Sequence, residues 1–61
     1  MNIDKLAAMC KERGISFRKL EKECGLGNGI IARWKNSSPT VANLKAVADY
    51  FGVTVDELLR D

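Results

Sequence analysis

Phe17 to Asn36 reads FRKLEKECGLGNGIIARWKN, two short helical patterns joined by the three residues Gly25, Leu26 and Gly27. So short a connection forces the two helices to cross steeply. Leu20, Leu26, Ile31 and Trp34 recur at a spacing that turns one face of each segment inward. The second segment is left with Asn28, Gly29, Ala32, Arg33 and Asn36 outward, a face of small or polar residues with no acid among them.

Outward from this stretch, glycines punctuate the chain. Gly14, Gly25 and Gly52 each follow an apolar-periodic segment, where a left-handed residue stops a helix. After each comes an apolar residue (Ile15, Leu26, Val53) and then a candidate N-cap (Ser16, Gly27, Thr54). Four positions past each cap stands another apolar residue, Leu20, Ile31 or Leu58, which completes a hydrophobic staple. Thr54 and Glu57 have the spacing of a capping box. Ser37, Ser38 and Pro39 mark a loop, because proline disfavours helix in the residue before it, and Thr40 can cap the helix after the loop.

These signals predict helices at 3–13, 17–24, 28–35, 41–51 and 55–60, with no place for a strand, in a single domain over 1–61. Helical spacing assigns a core of Leu6, Met9 or Cys10, Ile15, Leu20, Cys24, Leu26, Ile31, Trp34, Leu44, Val47, Ala48, Phe51, Val55 and Leu58. No one helix is long enough to persist alone in water, so burial of this shared stripe has to hold them together.

Composition narrows the function. The 61 residues are 46% apolar and 30% charged, a globular mix rather than a disordered one. No run approaches the roughly 20 apolar residues of a membrane span, and Asp4 and Lys5 interrupt the start in a way a secretory signal does not. A cytoplasmic protein is expected. Cys10 and Cys24, without a histidine or a CxxC spacing, suggest neither zinc nor a disulfide framework and read as small buried hydrophobes. Without histidine, Ser16, Ser37, Ser38 and the two thiols lack an activating base, so no enzyme, cofactor or metal is expected. The net charge is only +2, but it is unevenly placed. Residues 1–36 hold eight basic against four acidic side chains, and residues 37–61 hold two against four. The excess sits with the tight turn, as a nucleic-acid face requires.

The 17–36 segment resembles the helix-turn-helix of phage-repressor and Cro-like (XRE-type) proteins. Leu20 in the first motif helix, Gly25 in the turn, and Ile31 then Trp34 in the second match the pattern. Beyond the motif, SSPTVANLKAVADYFGVTVDELL is similar to the two closing helices of such domains, so the resemblance covers nearly the whole chain. It implies an all-α, five-helix, lambda-repressor-like DNA-binding domain whose motif is formed by the second and third helices. It implies a repressor that reads double-stranded operator DNA in the major groove. Two positions depart from the pattern: Phe17 stands where the family often has glutamine, and Glu21 where it has a small residue. Phe17 is expected to pack on sugar or a thymine methyl, and Glu21 to turn its carboxylate out toward Lys22 or solvent.

By the same resemblance, Asn28, Gly29, Ala32 and Arg33 match base-contact positions, and Phe17, Arg18, Lys35, Asn36, Ser37 and Ser38 lie near the DNA backbone. The chemistry agrees with this division. An asparagine amide can pair N6 and N7 of adenine, an arginine can fork onto O6 and N7 of guanine, and Gly29 and Ala32 permit close approach. Amides at the start of the second motif helix, unobstructed at Gly27, are expected to favour a phosphate. A homodimer on two-fold-related DNA is expected, with Val53, Val55 and Leu59 as its apolar contacts. The competing reading is a protein-interaction module of the same fold, an antirepressor or antitoxin-like partner, with Ile30 as the residue that fits it. Interaction faces favour aromatic or aliphatic anchors, so the small and polar 28–36 face favours DNA.

Overall fold

Most helices of this chain begin where a side chain takes up a backbone amide that the first turn leaves unpaired. In the computed structural model, which describes residues 1–60, α1 spans Ile3–Arg13, α2 Phe17–Cys24, α3 Ile30–Arg33, α4 Val41–Phe51 and α5 Val55–Leu59. The described residues form no strand. Ser16 Oγ accepts a hydrogen bond from the Lys19 amide at 3.1 Å, Thr40 Oγ1 from Asn43 at 3.1 Å, and Thr54 Oγ1 from Glu57 at 3.0 Å. Asn2, to which the sequence alone gave no role, does the same for α1, its Oδ1 accepting from the Asp4 amide at 2.9 Å.

At the other ends, Gly25 closes α2 with φ 70°, and the Leu26 amide reaches back to the Glu21 carbonyl at 2.8 Å. The same left-handed closure recurs at Gly14 and Gly52, as their positions predicted. Each returning bond brings the next apolar residue, Ile15, Leu26 or Val53, back against the core.

The third helix departs from expectation. It is one turn, Ile30–Arg33, rather than 28–35, and Gly29 is its N-cap in place of Gly27. Gly29 has φ 74°, a left-handed geometry that no helical run can contain, so residues 28–29 form a turn ahead of the helix. Leu26 and Ile31 therefore do not bracket the cap as a staple, although Ile31 is fully buried. At the far end the Arg33 carbonyl accepts from the Asn36 amide, the Ser37 amide and the Ser37 hydroxyl, and the chain turns away toward Pro39.

The buried core consists of Leu6, Cys10, Leu20, Ile31, Trp34, Leu44, Val47, Ala48, Phe51 and Leu58, so every helix contributes and Trp34 adds the largest side chain. Of the expected pair, Cys10 is buried and Met9 only packs against the outside. Ile15, Cys24, Leu26 and Val55 are half-buried around it. Val53 and Val55, expected as exposed dimer contacts, thus rest on the core; Leu59 alone of the three is exposed.

Cations from the first helix close the C-terminal ends of two others. Arg13 donates to the Tyr50 and Phe51 carbonyls at 3.2 Å each, and its guanidinium lies 5.3 and 5.0 Å from the centroids of their rings. Lys5 Nζ donates to the Glu57 carbonyl and, at 2.6 Å, to that of Arg60. These four bonds place positive charge where the exposed carbonyls of a helix end carry partial negative charge. Two of the eight basic residues counted toward a DNA-facing excess are therefore engaged in holding α4 and α5.

Candidate nucleic-acid interface

α2 carries Phe17, Leu20, Glu21 and Cys24 at positions i, i+3, i+4 and i+7, the inward stripe of a helix, and Glu21 occupies an inward position. Its side chain does not turn out to Lys22 or solvent. Glu21 is only 4% exposed; Oε1 accepts from the Gly29 amide at 3.0 Å and Oε2 from the Ile31 amide at 3.1 Å. The carboxylate caps α3 from a neighbouring helix, since Gly29 at the N-cap has no side chain with which to do so. The expectation of a phosphate on these amides is corrected accordingly: two of the first amides of the segment already serve Glu21, and the Ile30 amide donates to the Gly27 carbonyl at 3.3 Å.

With Glu21 turned inward, the surface around α3 exposes Asn28, Gly29, Ala32 and Arg33. Asn28, Gly29 and Ala32 face Phe17 and Arg18 of α2 across an open concavity of about 390 Å³, with Glu21 below. Half-buried Phe17 supplies an apolar edge to it, and Arg18 stands exposed at the start of α2. On the other side of α3, Arg33 borders a second concavity of about 200 Å³ with Ser37, Ser38 and Thr40. Lys35 and Asn36 are exposed in the turn after α3 and line neither. Among the described residues, Arg18, Arg33 and Lys35 pair with no carboxylate, whereas Lys19 lies 3.4 Å from Glu23. Ser37 donates its hydroxyl to the Arg33 carbonyl at 2.9 Å, so it would have to release that bond to donate to a phosphate.

Gly29 is the backbone position on which this surface depends. A β-carbon there would meet nothing within 4 Å, so the cost of substitution is the left-handed backbone alone. Gly29→Ala is expected to lower stability by about 1–2 kcal/mol. Gly29→Asn should lose less, because asparagine tolerates that region. Thermal unfolding of the two variants checks this; equal stability of Gly29→Ala and the parent would mean the turn is not left-handed.

Neither cysteine is primed for chemistry. Burial, and then the neighbouring Cys24, pushes the Cys10 thiol up; burial, and then Glu23, does the same for Cys24. A thiol held protonated is a poor nucleophile, and Cys24 instead points its Sγ at the Ala46 carbonyl, 3.8 Å away. Among the described residues, no helix is long and apolar enough to cross a membrane, and no cluster of three or more histidine, cysteine or carboxylate side chains is placed to hold a metal.

Neither the curated proteins nor the solved structures contain a match to this chain. A family model, that of the Cro/C1-type HTH DNA-binding domain, matches residues 5–61, which takes in all of α2 to α5 and nearly all of α1. Five helices in the expected order, a connection of five residues rather than three between α2 and α3, and a match over almost the full length place the chain in the Cro/C1-type helix-turn-helix DNA-binding domain family, to which it belongs.

Proposed function

We propose that this DNA-binding domain is a transcriptional repressor of the phage type, which reads operator DNA in the major groove through α3 and the turn before it. The observation that carries the reading is the exposed surface of Asn28, Gly29, Ala32 and Arg33, beside which the Glu21 carboxylate is buried and bonded to backbone amides. Asn28 and Arg33 are the polar readers, Gly29 and Ala32 let the helix sit close to the base edges, and Arg18, Lys35, Asn36 and Ser38 serve the backbone, with Phe17 against a sugar or a thymine methyl. The four residues of α3 are about 6 Å long. They span about two base pairs at 3.4 Å each, so specificity rests on few side chains and on DNA shape. Such a protein works in the cytoplasm, where the nucleoid is.

Two copies on a two-fold site are the natural unit, because one module this small covers limited DNA. The Cα positions span 22 × 21 × 19 Å. Half-sites one turn apart are separated by about 34 Å, so two copies fit side by side. Leu59, 51% exposed on α5, is the one of the three expected contacts that stands clear of the core, on which Val53 and Val55 rest. For the protein-interaction alternative, the expected anchor Ile30 packs half-buried against the core instead of standing clear, which favours DNA.

Selection from a random duplex pool tests the proposal directly. The expected outcome is enrichment of one inverted-repeat sequence, with sedimentation showing weak self-association of the free protein and two copies on the selected duplex. A pool that yields no enriched sequence would sink the repressor reading, and a single copy saturating a palindrome would sink the dimer.

A further inference from the structure

α3 is a four-residue helix, too short to sustain itself, and its N-cap is a glycine. The side chain that holds its start comes from 8 and 10 residues earlier in the chain. We infer that Glu21 is a positioning residue for base readout: its buried carboxylate ties the Asn28–Gly29 turn and the start of α3 to α2, and so sets where Asn28, Ala32 and Arg33 meet the bases. This rests on the DNA-reading proposal above and adds to it the part that fixes the register of the surface.

The geometry supports a tie rather than mere packing. Each carboxylate oxygen takes a different amide, one on either side of Ile30, so the pair restrains both position and rotation of the helix start. Hydrogen bonds to an ionised acceptor are roughly twice as strong as neutral ones. Glu21 sits one turn along α2 from Phe17 and beside Arg18 in the same concavity, so the helix that carries these proposed backbone contacts also carries the tie. Glu21 stands on that concavity's floor with 4% exposure and, among the described residues, joins no ion pair, so the two amides are the partners its carboxylate has.

Glu21→Gln separates this role from a purely structural one. The glutamine keeps the size of the side chain but sets an NH2 group against a backbone N–H, which loses one bond, and it removes a negative charge close to the DNA. Binding to the selected duplex should therefore fall by about tenfold, while binding to an unrelated duplex stays equal or strengthens. Unfolding lowers both together. Glu21→Asp, which retains the charge but falls a methylene short, should also lose preference for the selected duplex. Amide exchange followed by NMR supplies a readout that needs no DNA: the Gly29 and Ile31 amides of the parent should be protected, and in Glu21→Gln the one that loses its acceptor should exchange about tenfold faster. The inference is overturned if those two parent amides exchange as freely as exposed ones, or if Glu21→Gln retains the parent's ratio of selected to unrelated binding. Failure of the parent to enrich any sequence is a different result, which removes the DNA-reading proposal and this one with it.

Discussion

Trp34→Ala is expected to leave the domain unfolded at ordinary temperatures. Trp34 is 2% exposed, is the largest of the fully buried side chains, and lies directly after α3, where its amide donates to the Ile31 carbonyl at 3.0 Å. Truncating a buried tryptophan costs about 3–5 kcal/mol. A domain of this size has about that much stability in total, with no disulfide to add to it. The loss should be felt most at α3, whose one turn is held against the core by Ile31 and Trp34. Far-UV circular dichroism on heating is the measurement. A cooperative transition near the parent's midpoint would mean that the indole is not part of the core.

On DNA, Arg33→Ala and Asn28→Ala should change what is read, and Lys35→Ala only how tightly. Arg33 ends α3 and Asn28 precedes its cap, both exposed on the proposed reading surface, while Lys35 lies in the following turn. If Arg33 forks onto a guanine, its removal should cost about 1–3 kcal/mol and relax preference at one base pair. Asn28→Ala should do the same at an adenine. Lys35→Ala should weaken every duplex alike and lower the salt dependence by about one phosphate. All three side chains are exposed and outside the core, so the variants should fold, which circular dichroism can verify. Unchanged affinity and base preference in both Arg33→Ala and Asn28→Ala would transfer the argument to the protein-interaction reading.

The parts of this fold that were legible in the chain are those whose causes are local. Ser16, Thr40 and Thr54 each bond an amide three residues ahead, and Gly25 closes a helix through atoms of its own turn, so a window of a few residues contains the whole interaction. Inward phase was legible for the same reason, since it depends only on spacing along one helix. Two local signals were nonetheless passed over. Asn28–Gly29 is a turn-forming pair, which marked the interruption that shortened α3. Glu21 shares its phase with Phe17, Leu20 and Cys24, and a glutamate on an apolar stripe has to find donors inside the fold.

By itself the sequence determined the five-helix order, the caps of α2, α4 and α5, most of the core and the identity of the surface around α3. Which groups meet across that framework was decided only in three dimensions. Glu21 reaches amides 8 and 10 residues away because α2 and α3 cross at the turn between them. Arg13 reaches carbonyls 37 and 38 residues away, and Lys5 others 52 and 55 away, because α1 packs beside the ends of α4 and α5. A charged side chain carries no mark of its partner in the chain. Lys5 and Arg13 read as DNA-facing charge and Glu21 as a solvated departure from the family pattern until packing brought unpaired carbonyls and amides within their reach. For Glu21, burial then made its bonds obligatory, because a carboxylate removed from water without a partner costs more than the bond itself returns.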